Sequence, residues 1–253
     1  MKKFILTAAA GAALAAPTLA AAQSAPASPI TGNMALVSEY RFRGIDQTFG
    51  KPALQGGFDY AHSSGVYLGN WNSNVSEGAG FPGSNLEMDF YGGWKKSFGD
   101  VGLDLGFIYY AYPGTDPKVD NKELYAGVTW KFLSAKYFYS LDDYFSAKGD
   151  DGESTKGTSY LDLAAAYDLG SGWGLGAHWG HTHFKHVSQG SYSDWKLGLT
   201  KDLSGWLLGA AYVGSNAKGD CGAGEFYCFA NTSGSKSRDA GRSAIVLSVG
   251  KTF

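Results

Sequence analysis

The sequence has little charge, little proline and only two cysteines. Charged residues make up 17 % of the 253 residues, against about 25 % in ordinary soluble domains. The 21 Lys and Arg are balanced by 23 Asp and Glu, so the chain lacks the basic excess of a nucleic-acid surface. Two cysteines are too few for a disulfide-rich scaffold. After the N-terminal segment, no stretch approaches the roughly 18 apolar residues that a transmembrane helix requires.

Glycine and aromatic residues are abundant instead. Glycine contributes 37 residues, which is about twice its usual share, and aromatics make up 15 % of the chain. This aromatic content is too high for a disordered chain, and the glycines follow no Gly-X-Y period. Glycine with Tyr, Phe and Trp favours strands and tight turns. The composition therefore indicates one all-β domain.

The first 22 residues have the three-part pattern of a secretory signal peptide. Lys2 and Lys3 precede an apolar, alanine-rich run, and Ala20–Ala22 place small residues before Gln23. The alternative, an N-terminal membrane anchor, would need a longer and more apolar run than one that contains Pro17. We predict a signal peptide over 1–22, a short periplasmic lead over 23–32 and a barrel domain over 33–253.

The rest of the chain alternates between apolar and polar residues with a period of two. In 101–112, for example, one face carries Val101, Leu103, Leu105, Phe107 and Tyr109, and the other carries Asp104 and two glycines. Such alternation over about ten residues is typical of a strand with one apolar and one polar face. It recurs in twelve segments: 33–43, 53–61, 66–75, 85–96, 101–112, 121–132, 133–142, 159–169, 173–184, 192–202, 206–215 and 242–253.

The links between these segments are long and short in strict turn. The short links are 61–65, 97–100, 131–134, 170–172 and 203–205, and the long links are 44–52, 76–84, 113–120, 143–158, 185–191 and 216–241. Outer-membrane barrels have tight periplasmic turns and longer extracellular loops, whereas a soluble β-sandwich has no reason for this asymmetry. The pattern predicts an antiparallel transmembrane β-barrel of twelve strands with a porin-like architecture.

Aromatic placement supports this interpretation. The residues Trp94, Trp130, Trp173 and Trp206 lie beside short links on apolar faces, which predicts a periplasmic aromatic girdle. An opposite girdle is predicted from residues nearer the long links: Tyr40, Phe42, Trp71, Tyr109, Trp195 and Tyr212. The chain ends at Phe253, on the apolar face of the last segment. A terminal Phe of this kind is typical of the assembly signal read by the barrel-assembly machinery.

Three stretches resemble a known family. Ser-Glu-Tyr-Arg-Phe-Arg-Gly-Ile-Asp-Gln-Thr at 38–48, Pro-Ala-Leu-Gln-Gly-Gly-Phe-Asp-Tyr at 52–60 and Ser-Gly-Val-Tyr-Leu-Gly-Asn-Trp at 64–71 resemble the start of the TorF-type porins of proteobacteria. Asp46 stands where that pattern has a small Ser. The resemblance covers about 38–75 and implies a porin-like outer-membrane protein without an assigned substrate or catalytic residue.

The polar faces of the segments would line the barrel interior. We predict these pore-lining residues: Glu39, Arg41, Arg43, Asp59, Glu87, Asp89, Asp104, Glu123, Lys131, Lys136, Asp162, His178, Asp194 and Lys196. The favoured function is a narrow passive channel for ions or small hydrophilic solutes. The alternative is a lumen closed by internal ion pairs in a scaffold or surface-interaction protein. Glu39, Arg41 and Arg43 on one face of the first strand, with Asp59 beside them, are the candidate constriction.

Histidines and one serine suggest two further sites, neither of which we favour. The spacing of His178, His181, His183 and His186 would suit Zn²⁺ or Cu²⁺, but it shows no fixed fourth ligand, so no metal or cofactor is predicted. A turn centred on 188 would place His183 opposite Ser193 on the lipid side, as a lipid hydrolase would require. No orienting acid accompanies them, and we predict that the chain is not an enzyme.

The two cysteines and the export signal define the expected surroundings. Cys221 and Cys228 share the longest link, and export into an oxidising compartment predicts that they form a disulfide. The expected location is the bacterial outer membrane, with lipid, lipopolysaccharide, the assembly machinery and small solutes as partners. The oligomeric state and the solute are left open by the sequence.

Overall fold

The computed structural model describes residues 29–253, which form a closed barrel of twelve antiparallel strands. The twelve-stranded antiparallel barrel predicted from the alternation is therefore confirmed. The predicted signal peptide and residues 23–28 of the predicted lead lie outside the described residues. The first strand begins at Ile30, three residues before the expected start of the barrel.

The described part of the chain contains sixteen strands, numbered in chain order. They are β1 (Ile30–Val37), β2 (Arg41–Phe42), β3 (Ile45–Asp46), β4 (Ala53–Ala61), β5 (Val66–Asn74), β6 (Leu86–Phe98), β7 (Val101–Ala111), β8 (Asp120–Trp130), β9 (Leu133–Ser140), β10 (Ser159–Gly170), β11 (Trp173–His183), β12 (Tyr192–Leu203), β13 (Trp206–Ser215), β14 (Cys228–Ala230), β15 (Ser237–Asp239) and β16 (Ala244–Thr252). Two single-turn 3₁₀ helices, Glu77–Ala79 and Tyr144–Ser146, complete the elements. Neither is long and apolar enough to cross a membrane.

The barrel closes through its first and last strands. In order around the barrel, each strand pairs with the next along the chain from β4 to β13; β16 then pairs with β13, and β1 lies between β16 and β4. The terminal residue completes this seam, since Gly32 and Phe253 exchange both backbone hydrogen bonds, at 2.7 and 2.9 Å. A Cβ at position 32 would lie 2.7 Å from the Phe253 ring. Glycine at 32 therefore gives the terminal ring room to pack on the outer face.

The two faces of each strand have opposite character. The outward residues are large and apolar, and Phe58 and Leu197 are 62 % and 57 % exposed. The inward residues include the charged side chains and a set of buried tyrosines, among them Tyr67 and Tyr110. A soluble barrel would bury its apolar face and expose its polar one. The inverted distribution suits a barrel whose outer face meets lipid.

The short turns end the strands through residues with positive φ. Lys131 adopts φ 55° between β8 and β9, and Ser171 and Ser204 have φ 53° and 55° in equivalent turns. Two-residue hairpin loops require such angles. The prediction that Lys131 lines the pore is wrong, because the turn takes it out of the alternation. Lys131 is exposed, and its ammonium lies 4.9 Å from the centre of the Trp130 ring.

The first barrel strand is shorter than predicted. β1 ends at Val37, and residues 38–50 then turn into the barrel; we call them the inward segment. They contain the β2–β3 hairpin, whose tip, Arg43 and Gly44, has φ 48° and 80°. The predicted ladder of Glu39, Arg41 and Arg43 on one strand face is therefore wrong. A Cβ on Gly44 would lie 2.6 Å from Cβ of Asp194 on β12, so the hairpin tip reaches the facing barrel wall.

The last long loop packs on the inward segment. It contains the β14–β15 hairpin, in which Cys228 pairs with Asp239 and Ala230 pairs with Ser237. Arg41 Nη1 donates to the carbonyl oxygens of Ala240 and Arg242, each at 2.9 Å. The backbone N–H of Asp46 also donates to the Ala240 carbonyl. These contacts hold the inward segment between the barrel wall and the loop that follows β13.

Candidate functional site: the lumen and its inward segment

The inward segment fills the half of the lumen near the long loops. Tyr40 and Phe42 are buried, and their rings pack edge-to-face on Trp71 and Tyr110 of the barrel wall. The predicted opposite girdle is therefore wrong for Tyr40, Phe42 and Trp71, which face the interior. Tyr40 and Phe42 leave the alternation because β1 ends before them. Trp71 shares the inward face of β5 with Tyr67, and its nearness to a long link does not place it on the outer face.

Arg43 fastens the segment to the opposite wall. Its two terminal nitrogens donate to the two carboxylate oxygens of Glu123 at 3.0 and 2.7 Å, and Nη1 also donates to the Tyr144 hydroxyl at 3.0 Å. The guanidinium lies 4.2 Å from the centre of the Tyr160 ring. Both members of the pair are buried. The geometry is that of a bidentate ion pair with a stacked aromatic ring, which Arg forms and Lys cannot.

A second charged group surrounds the base of the hairpin. Glu39 forms ion pairs with Arg41 and with Arg242, the latter at 2.8 Å. Arg238 pairs with Asp46 at 3.0 Å. Glu39, Arg41 and Asp46 are buried, whereas Arg238 and Arg242 are partly exposed. Sequence reasoning missed Arg238, because the loop that carries it has no periodicity that would place it at the lumen.

The middle of the lumen carries paired charges joined by tyrosines. Lys136 Nζ lies 2.7 Å from Asp104 Oδ2, and the Tyr67 hydroxyl donates to Asp104 Oδ1 at 2.6 Å. The hydroxyls of Tyr67 and Tyr125 are 2.5 Å apart. On the neighbouring wall, the Tyr91 hydroxyl donates to Asp59 at 2.6 Å. Asp59 thus lies on the inward face as expected, but it bonds to Tyr91 rather than to the arginines.

His178 joins two acidic residues on the other side of the lumen. Its Nδ1 lies 2.9 Å from Asp162 and its Nε2 lies 2.7 Å from Asp194. The Tyr160 hydroxyl contacts His178 Nε2 at 3.1 Å. Lys196 pairs with His178 across the β11–β12 ladder and also faces inward. This network places four of the predicted residues on one wall, and Tyr160 is a member that the charge pattern alone did not identify.

Glu87 and Asp89 form a further group, on the inward face of β6. Both are fully buried. Oε1 of Glu87 accepts a hydrogen bond from the Tyr40 hydroxyl at 2.8 Å. Of the predicted pore-lining residues, all except Lys131 therefore lie inside the barrel or within the inward segment. Lys95 also faces inward, and extending the alternation of β6 beyond Tyr91 would have found it.

The four predicted girdle tryptophans lie at the end of the barrel that carries the short turns. Trp130, Trp173 and Trp206 are exposed on the outer face. Trp94 is half-buried, and its Nε1 donates to the Ser64 carbonyl at 3.1 Å. Their contact with an interfacial membrane layer stays a prediction, as does the role of Phe253 in assembly.

The histidine-rich stretch is distributed over different surroundings. His178 faces the lumen, His181 faces outward, and His186 lies in the loop after β11, with its Nδ1 2.8 Å from the Ser154 carbonyl. Within residues 29–253, no group of three or more His, Cys, Asp or Glu side chains is arranged to hold a metal ion.

The predicted pairing of His183 with Ser193 is wrong. His183 pairs with Ser159 of β10, and Ser193 pairs with His181, whose Nδ1 lies 3.0 Å from the Ser193 hydroxyl. The loop after β11 is centred one residue earlier than expected, which shifts the partner by two positions. Trp179 stacks on His181, and no acidic side chain among the described residues bonds to this imidazole.

The predicted disulfide is confirmed. Cys221 and Cys228 are joined, with an S–S distance of 1.99 Å, in the loop between β13 and β16. Cys228 is the first residue of β14, so the disulfide ties the start of the β14–β15 hairpin to the loop before it. It therefore braces the loop that packs against the inward segment.

Solved structures share this architecture. The barrel is similar to "KdgM porin", with a TM-score of 0.52 and 10 % identity over 88 % of this chain and 97 % of that chain. It is also similar to "NanC porin structure in rhombohedral crystal form", with a TM-score of 0.56 and 9 % identity over 88 % of this chain and 98 % of that chain. At this identity the likeness concerns the fold alone.

The sequence comparisons place the chain in a family. A search of curated proteins found no match, and the TorF name stays a prediction. A family model described as "Bacterial protein of unknown function (Gcw_chp)" matches residues 21–253, which include the whole barrel. The chain belongs to the Gcw_chp family of bacterial proteins.

Proposed function

We propose that the protein is a passive diffusion channel of the bacterial outer membrane, narrowed by the inward segment. The observation that carries this proposal is the closed twelve-stranded barrel with an apolar outer face and a charged, glycine-rich interior. A barrel of this size lies between those that are filled by side chains and those that enclose a wide channel. The width of its channel therefore depends on which segments and side chains of the protein occupy the lumen.

The inward segment is the proposed constriction. Its hairpin spans the lumen from β1 to β8 and β12 through Arg43–Glu123 and the Gly44–Asp194 contact. Below it, towards the short turns, the inward positions include Gly102, Gly127, Gly174, Gly198 and Gly209, which extend no side chain into the lumen. The paired charges of Asp104–Lys136 and Asp162–His178–Asp194 lie between these two regions and would act on a passing ion or small hydrophilic solute.

The location and partners follow from the same proposal. Export through the signal peptide over 1–22 would deliver the chain to the periplasm, and the assembly machinery would recognise the last strand with Phe253. Lipid and lipopolysaccharide would contact the outward apolar residues. The porin titles of the two neighbours support solute passage, and the TorF-type resemblance agrees with it. We do not expect enzymatic activity, and we assign no solute.

Single-channel recording in a planar bilayer tests the proposal. The refolded barrel should show heat-modifiable mobility and discrete conductance steps, and a heat-denatured sample should show none. Replacing residues 41–46 by a short Gly-Ser linker should enlarge the steps, because the linker cannot reach Glu123. A folded parent barrel without steps would refute the channel and favour a closed scaffold.

A further inference from the structure

The buried acidic residues of β6 have a property that passive conduction does not require. Glu87 and Asp89 are two positions apart on one strand, so both side chains point into the lumen about 7 Å apart along the strand. Both are fully buried. They lie across the ladder from Ser73 and Trp71 on one side, and Asp89 lies across from Tyr110 on the other.

The protein offers Asp89 no partner. Both of its carboxylate oxygens are buried without a hydrogen bond among the described residues. Glu87, by contrast, accepts the hydroxyl hydrogen of Tyr40. Among residues 29–253, no salt bridge involves either acid, and the guanidinium of Arg43 is engaged by both oxygens of Glu123.

The charge count in this half of the lumen is unbalanced. Glu87, Asp89 and Glu123 contribute three carboxylates, and Arg43 contributes one guanidinium. The base of the hairpin adds three guanidinium groups and two carboxylates, so the carboxylates still outnumber the guanidinium groups by one. An isolated carboxylate in a dry interior is strongly unfavourable unless a bound cation or a proton neutralises it. Asp89 therefore calls for one of these two positive charges.

We propose that Glu87 and Asp89 bind a divalent cation of the Ca²⁺ type in the outer half of the lumen. The donors are all oxygens, namely two carboxylates and the Tyr40 hydroxyl, which suit a hard cation. Ca²⁺ accepts irregular geometry and completes its shell with water and carbonyl oxygens. This explains how two carboxylates suffice where no group of three metal-ligating side chains exists in the described chain.

The cation would link the barrel wall to the inward segment. Tyr40 belongs to the inward segment and contacts Glu87 of β6, and its ring packs on Trp71. A cation at this site would therefore brace the start of the inward segment, while the Arg43–Glu123 pair holds its tip. This inference concerns cation binding and does not depend on conductance.

Terbium luminescence and thermal unfolding test the site. The sample is the full barrel, refolded in zwitterionic detergent and freed of bound divalent cations with a chelator. Tb³⁺ replaces Ca²⁺ and emits when nearby Tyr or Trp rings are excited, so Tyr40 and Trp71 should sensitise it. We expect Ca²⁺ to displace Tb³⁺ and to raise the Tm of the parent. Asp89→Asn should lower the affinity for Tb³⁺ and for Ca²⁺ at least tenfold and reduce the rise in Tm. Glu87→Gln and Tyr40→Phe should have the same effects to a smaller degree.

Two control variants separate this site from other carboxylates. Asp104→Asn removes a lumen acid that is paired with Lys136, and Glu153→Gln removes an exposed loop acid; both should keep the parent response. Should Asp89→Asn fail to fold, Glu87→Gln and Tyr40→Phe still report on the site. Equal Tb³⁺ emission in the parent and all three site variants would overturn the proposal. A parent Tm that rises at acidic pH and does not respond to Ca²⁺ would also overturn the proposal, because a proton would then be the neutralising charge.

Discussion

Breaking the Arg43–Glu123 pair should release the inward segment. The two side chains share two hydrogen bonds at 3.0 and 2.7 Å, and both are buried. Removing one partner leaves the other charge buried and unpaired, which costs about 3–5 kcal/mol. Arg43→Met and Glu123→Leu should each carry this cost.

The double variant should recover most of the loss. Replacing a buried ion pair by apolar side chains of similar volume is often neutral, and the rings of Phe42, Phe138 and Tyr160 already surround the guanidinium. With each single loss at about 3–5 kcal/mol and the double variant close to the parent, the coupling energy between the two sites should exceed about 5 kcal/mol. Lys136→Met is the matched control, because the Asp104–Lys136 pair is partly exposed and should be worth about 1 kcal/mol or less.

Three readouts distinguish release of the segment from loss of the barrel. Denaturant unfolding followed by tryptophan fluorescence gives the stability, limited proteolysis reports cleavage within 38–50, and bilayer recording gives the conductance. Each single variant should be cut faster and conduct more, and the double variant should resemble the parent. Additive losses in the double variant, or single variants within about 0.5 kcal/mol of the parent, would refute the reasoning.

Three further predictions concern the hairpin tip and the loops. Gly44→Ala places a Cβ 2.6 Å from Asp194 Cβ at φ 80°; it should destabilise the segment by about 1–2 kcal/mol and enlarge conductance steps, and unchanged steps would contradict the contact. The double variant Cys221→Ser, Cys228→Ser should keep the barrel Tm but accelerate proteolysis within 216–243, because the bond braces a loop outside the strand ladder. Asp143 has its pKa lowered to about 2 by hydrogen bonds from Lys148 and Ser154. Its stabilisation of the 143–155 loop should therefore be present above about pH 4 and be lost as pH falls through 2; hydrogen exchange in this loop should show that loss, and Asp143→Asn should abolish it.

The outward face could be predicted because it depends on local sequence alone. Strand geometry directs alternate side chains to opposite faces, so an apolar series such as Val101, Leu103 and Leu105 identifies a strand and its lipid-facing side. The alternation of short and long links then predicts which strand ends lie at the same end of the barrel. Both inferences need only neighbouring residues, and the barrel confirms the strand faces and the grouping of the strand ends.

Lys131 and the inward segment show where local pattern fails. Lys131 continues the alternation of β8, yet the two-residue turn requires positive φ there and removes it from the lumen. Residues 39–43 also alternate, but β1 ends at Val37, and the next residues make their contacts inside the barrel. Those contacts, such as Arg43 with Glu123, join residues 80 positions apart, and no local pattern encodes them.

The amino-acid sequence by itself determined the strand count, the facing of most side chains, the disulfide and the acidic and basic residues of the interior. Only the tertiary structure decided which charges meet. It paired Arg43 with Glu123, His178 with two aspartates and Ser193 with His181, and it left Asp89 without a protein partner. Side-chain facing follows from the period of a single strand, whereas pairing across a lumen depends on barrel closure, on register and on the path of an irregular loop.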